Sequence, residues 1–147
     1  MDLKNIILIG VIFLMILFGC KKKKETKNTA EHPVPYVPVD ITIYPGDPLN
    51  FKIQAIGGWL YINGGINGII VYRKSQQEFV ALERTSSYLP DNPAAKAKVM
   101  TDNFTCRDTI SDSRWQIFDG GVTQGPAQWG LRVYGTTYDG NALRIKN

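Results

Sequence analysis

Between Asp40 and Asn147 the chain is cut into short runs of β-branched and aromatic residues, each closed by a turn. Ile41–Tyr44, Trp59–Ile62, Ile66–Tyr72, Phe79–Leu82, Trp115–Phe118, Leu131–Tyr138 and Ala142–Ile145 are such runs. Side chains of these types suit a pleated, half-buried surface, and the runs are too short for ordinary helices. Asn63-Gly64-Gly65, Asp119-Gly120-Gly121 and Asp139-Gly140 stand between runs. Glycine there allows the positive φ that tight reversals need, and Asp-Gly between two runs is a hairpin signal. Phe51–Ala55 alternates apolar and polar residues and reads as one more strand. Only Asn92–Met100 has helical character, through its alanines and lysines. The pattern predicts an all-β domain, sandwich or barrel-like, over residues 39–147.

The N-terminus has a different texture. Ile6–Phe18 is apolar apart from Gly10, follows Lys4, and ends at Gly19-Cys20. The run falls well short of the roughly 20 residues that span a bilayer and has the length of a signal-peptide core. Leu17-Phe18-Gly19-Cys20 resembles a bacterial lipobox. That resemblance implies a signal peptide over residues 1–19, cleavage before Cys20, and acylation of Cys20. Phe18 is bulkier than the residue common at that place. Acyl chains contribute about 0.8 kcal/mol per buried CH₂, so a multiply acylated Cys20 anchors the chain to a membrane. Residues 20–38 then form a linker. Lys21–Lys24 and Lys27 begin it, and prolines 33, 35 and 38 stiffen its end into an extended strap.

Those lysines carry most of the +4 net charge, because basic and acidic residues nearly balance from His32 onward. The basic character is a tail property and gives no reason to expect nucleic-acid binding. No acidic export signal follows Cys20, so the expectation is a domain anchored in the cell envelope and facing the periplasm. The chain has two cysteines. With Cys20 acylated, Cys106 is a lone thiol and no intrachain disulfide forms. Three readings of Cys106 stand: a small buried hydrophobe, a reactive thiol beside Arg107, or half of an intermolecular disulfide.

Two segments carry a second resemblance. Glu83-Arg84-Thr85-Ser86-Ser87-Tyr88-Leu89 is the first, and Cys106-Arg107-Asp108-Thr109-Ile110-Ser111-Asp112-Ser113-Arg114-Trp115 the second. Phe118-Asp119-Gly120-Gly121, Gly125-Pro126-Ala127, Leu131 and Tyr134 follow in order. The series resembles a Rieske-type iron–sulfur domain, in the form of small lipoproteins of Bacteroidota-like bacteria. The resemblance covers roughly Val37–Asn147 and implies stacked antiparallel sheets with a small loop subdomain. It also implies a [2Fe–2S] cluster at the loop tips, held by two cysteines and two histidines.

The ligands do not follow the pattern. Ser86 occupies a cysteine position, Leu89 lies where a histidine is usual, and Ser111 stands at the second position of the later box. Asp112 replaces the glycine of a Gly-Ser pair, and only Cys106 keeps its sulfur. The chain's one histidine, His32, sits in the proline strap. The expectation is therefore no cofactor and no metal, with a [2Fe–2S] protein using an unusual or partner-shared cluster as the alternative. An unrelated β adhesin or lectin-like accessory is a third reading. No nucleophile has a histidine base nearby, so no enzyme is expected. The loop aspartates 91, 102, 108, 112 and 119 match no EF-hand spacing. Trp129, in a loop, is the best exposed aromatic for a ligand. The expected role is that of a structural or binding module, held to a membrane by lipid and meeting a protein partner the sequence does not name.

Overall fold

The computed structural model describes residues 31–147. The expected signal peptide, Cys20 and the lysine run lie outside the described residues. The described part holds ten strands and one 3₁₀ helix. The strands are β1 (Asp40–Ile43), β2 (Trp59–Ile62), β3 (Ile69–Arg73), β4 (Phe79–Glu83) and β5 (Ala97–Val99). They continue with β6 (Thr105–Asp108), β7 (Arg114–Gln116), β8 (Val122–Gln124), β9 (Val133–Tyr138) and β10 (Leu143–Lys146). One sheet runs β1-β10-β9-β4-β3-β2 and the other β5-β6-β7-β8. Every pairing is antiparallel.

The Asp139-Gly140 turn makes the expected hairpin between β9 and β10, pairing Leu143 with Tyr138. Asp139 Oδ1 accepts the N–H groups of Asn141 (2.8 Å) and Ala142 (2.7 Å), and Gly140 takes φ +95°. Two expectations fail locally. Pro48–Ile53 is a 3₁₀ helix, so Phe51–Ala55 is not a strand. Asp47 caps it by accepting Leu49 N–H (2.8 Å), and Pro48 presets its first turn. Phe51 consequently points outward, 64 % exposed, and Ile53 inward. Asn92–Met100 is a turn followed by β5, because Ala97 and Val99 pair with Asp108 and Cys106. Alanine's helix preference is a few tenths of a kcal/mol per residue and yields to such pairing.

β3 explains the layering. Ile69, Ile70, Val71 and Tyr72 are all buried. Ile69 and Val71 enter a core with Ile53, Ala81, Tyr134, Leu143 and Ile145. Ile70 and Tyr72 enter a second core with Leu82, Cys106, Trp115, Ile117 and Leu131. A strand with apolar residues on both faces needs a layer on each side. The curled six-stranded sheet supplies one and the four-stranded sheet the other. The proline strap lies along the domain: Val34 is fully buried, and its carbonyl accepts Arg132 Nε (3.0 Å) and Nη2.

A carboxylate with five donors sits inside this frame. Glu83 is fully buried at the end of β4. Its Oε2 accepts Ile66 N–H (2.9 Å) and the Tyr134 hydroxyl (2.7 Å). Its Oε1 accepts Asn67 N–H (3.0 Å), Thr85 N–H (2.9 Å) and the Thr85 hydroxyl (2.7 Å). Gly65 is required beside it, since a Cβ there would stand 2.0 Å from Oε2. Burial alone would push the carboxyl up; the bonds from Ile66, Tyr134, Thr85 and Asn67 outweigh it and hold the carboxyl below its ordinary value.

A hydrogen bond to a charged group contributes about 1.5–3 kcal/mol, so Tyr134→Phe should lower unfolding free energy by about 2 kcal/mol in urea. Because the folded-state pKa is depressed, the carboxylate's contribution is complete above the unfolded value, about 4.3, and is lost as pH falls through the folded value. Glu83→Gln should narrow the stability difference between neutral and acid pH. Equal acid sensitivity in the two proteins would exclude this role.

Candidate functional site

The two segments that carry the Rieske resemblance become the loops β4–β5 and β6–β7. Both start from a strand whose final residue is a buried acid. In β4 the inward positions run Phe79, Ala81, Glu83; in β6 they run Cys106, Asp108. Each acid then folds the loop after it. Glu83 accepts Thr85 N–H and its hydroxyl, and Asp108 accepts Ile110 N–H (2.9 Å) through Oδ1 and the Ser111 hydroxyl (2.7 Å) through Oδ2. For Asp108 the i to i+2 spacing is an Asx turn, while Glu83 reaches the N–H two residues on with a side chain one methylene longer.

A third loop, β8–β9, joins them. The Ser87 hydroxyl donates to Trp129 O (2.6 Å), and Trp115 Nε1 donates to the same carbonyl (3.0 Å). Ser113 Oγ accepts Ala127 N–H (3.0 Å) and lies 2.9 Å from Ser111 Oγ. The strap closes the cluster from outside. His32 Nε2 is 3.0 Å from Gly130 O, and its ring meets the Trp129 ring edge-on at 5.6 Å.

The singled-out residues are only partly gathered. Ser111 is bonded within the β6–β7 loop. Ser86 is fully buried; its N–H donates to Ala95 O (3.0 Å), and its hydroxyl takes only a long contact from Tyr88 N–H (3.4 Å). Leu89 belongs to the turn in which Asn92 N–H donates to Leu89 O (3.1 Å). No hydrogen bond among the described residues joins Ser86 to Ser111. Cys106 is not at the loop tip. It lies in β6 between Val99 and Trp115, fully buried, and burial pushes its thiol up to about 12, with the Asp102 charge adding to the effect. Asp108, expected among the loop aspartates, instead ends strand β6 and bonds to the Ser111 hydroxyl. Period-two alternation from Cys106 is the signal that would have found it.

Asp112 takes φ +62°, the left-handed region that favours glycine. Arg107 Nε holds its carboxylate at 2.5 Å and Arg114 Nη2 at 3.6 Å, which keeps the Asp112 carboxyl below its ordinary range. Asp102 caps a turn by accepting Phe104 and Thr105 N–H, and Asp119 does so with Gly121 N–H. Those aspartates serve turns. The exposed Trp129 ring is held by His32, and its carbonyl is the junction of the loops.

The described residues supply too few ligands of the right type for an iron–sulfur cluster. A cluster needs thiolates and imidazoles. The one thiol of the described residues is buried in the core and resists ionisation, and the one imidazole is in the strap. The Ser111 hydroxyl and the Asp108 carboxylate are committed to each other. Among the described residues no three His, Cys, Asp or Glu side chains form a ligand group.

A buried thiol with a raised pKa exposes no thiolate. Ellman's reagent at mildly alkaline pH should leave Cys106 untouched in the native protein and titrate it in denaturant. Native labelling at the rate of free cysteine would overturn this placement. In comparisons with known proteins, the chain matches no family model and no curated protein.

Proposed function

We propose that this chain is a lipid-anchored protein of the bacterial cell envelope, acylated at Cys20, held to a membrane and facing the periplasm. Its domain is Rieske-like without the cluster, is not an enzyme, and works as a structural or binding module. One observation carries the reading. The loops bearing the two resembling boxes are both tied to the loop bearing Gly125-Pro126-Ala127, through Ser87, Ser113 and Trp115. A metal-binding tip needs that meeting of loops, and here hydroxyls and carbonyls make it. The glycine-like backbone of Asp112 adds support, since it falls where the resemblance expects glycine. The β adhesin reading draws nothing from this meeting of loops.

The purified full chain should be colourless, with neither iron nor acid-labile sulfide after expression in iron-replete cells. A brown, reducible protein with stoichiometric iron and sulfide would overturn the cluster-free reading and favour the [2Fe–2S] alternative. Metabolic labelling with a fatty acid should mark the wild type and leave Cys20→Ser unmarked and released from the membrane fraction. An unlabelled wild type would remove the anchor and leave the reading of the domain untouched.

A further inference from the structure

An open pocket of about 440 Å³ lies between the β2–β3 turn and the two ends of the β4–β5 loop. Its wall includes Tyr61, Asn63, Asn67, Arg84 and Lys96. Arg84 and Lys96 are both half-buried. Neither makes an ion pair among the described residues. Arg84 is nevertheless fixed in place. Its Nε donates to Ala97 O (3.2 Å), and its guanidinium lies 3.8 Å from the centre of the Tyr61 ring. Tyr61 is itself pinned, its hydroxyl accepting Val99 N–H (2.9 Å). These contacts use Nε and the flat face of the guanidinium. Its two terminal nitrogens donate to no group among the described residues.

The pocket wall holds no carboxylate. Glu83 precedes Arg84 in the chain, but it lies behind Gly65, and its oxygens are taken up by Ile66, Asn67, Thr85 and Tyr134. Two partly desolvated cations with no counter-charge are unfavourable unless something supplies one. A guanidinium with both terminal nitrogens open is shaped to grip two oxygens of one planar or tetrahedral anion.

We propose that this pocket binds an oxyanion group, a carboxylate or a phosphate. Arg84 grips it through its terminal nitrogens, Lys96 supplies the second charge, and Asn63 adds a neutral donor at the rim. Both cations stand on the β4–β5 loop, where Thr85 bridges to Lys96, and the site does not depend on the anchor at Cys20. The same chemistry is offered by a free small anion and by the headgroup of an anionic lipid.

Calorimetric titration of the full chain in neutral detergent with inorganic phosphate, and separately with acetate, at constant ionic strength, tests this. Saturable binding of at least one anion is expected, weakened about tenfold or more by Arg84→Gln and severalfold by Lys96→Gln. Arg144→Gln, on an exposed strand position, should bind as the wild type does. Lys96→Gln keeps the test decisive if Arg84→Gln misfolds, because the Lys96 side chain makes no hydrogen bond among the described residues. Phosphatidylglycerol added to the micelles should compete with phosphate if the natural source is a headgroup and leave it unaffected if the source is a free anion. No saturable binding by the wild type, or equal affinity in wild type and both pocket variants, would overturn the proposal.

Discussion

The Glu83 carboxylate is the interaction on which the arrangement of this domain depends. A buried charge is costly unless every lone pair is met, and here five donors from three segments meet it. Those donors come from the β2–β3 turn, the start of the β4–β5 loop and strand β9. No apolar side chain could join the three, because three backbone N–H groups and two hydroxyls must find an acceptor at that point. The carboxylate therefore sets where the β2–β3 turn folds back and how the β4–β5 loop departs. The shape of the Arg84–Lys96 pocket follows from the same turn, since the residues that cap Glu83 on one side line the pocket on the other.

The second sheet repeats the device on a smaller scale. Asp108 ends β6 as Glu83 ends β4, both fully buried and both accepting the N–H two residues on and a hydroxyl of the following loop. Two strands from different sheets thus end in the same way and deliver their loops to one place. The Trp129 carbonyl, accepting both Ser87 and Trp115, then holds that place together. Trp115 makes this junction part of the core, because its ring is fully buried while its N–H reaches the loop. Replacing such a ring by alanine typically costs about 3–5 kcal/mol, far more than any one loop hydrogen bond contributes. The junction accordingly rests on core packing, and the hydroxyls set its details.

Much of this was legible in the residues, and the failures have physical causes. The doubly buried β3 was visible as the unbroken run Ile69-Ile70-Val71-Tyr72, and the β9–β10 hairpin as Asp139-Gly140. Phe51–Ala55 misled because alternation over five residues carries no information about a preceding cap, and Asp47-Pro48 decided the matter. β5 was hidden by alanine and lysine, whose weak helical preference gives way to pairing with β6. Glu83 and Asp108 were hidden by type: an acid at a strand end is ordinarily solvated. Strand periodicity overrules that expectation, as Ala81 and Cys106, each two residues earlier, face the core. Cys106 drew attention as the one sulfur left in a resembling box, whereas its strand position turns it toward Trp115.

The loop junction is held by hydrogen bonds among the described residues. Metal ligation fixes several side chains at one point through a few strong bonds. Here the links are Ser87 to Trp129 O, Trp115 to Trp129 O, and Ser113 to Ala127 N–H, each contributing about 0.5–1.5 kcal/mol net. Bonds of that size hold loops only where water is kept out, and Ser86, Ser87, Asp108 and Ser113 are all buried. Exclusion of water rests on Trp115 beneath and on the His32–Trp129 contact above. The strap that leads back toward Cys20 is therefore part of the junction's cover. Its docking links the path of the chain out of the domain to the order of the loops.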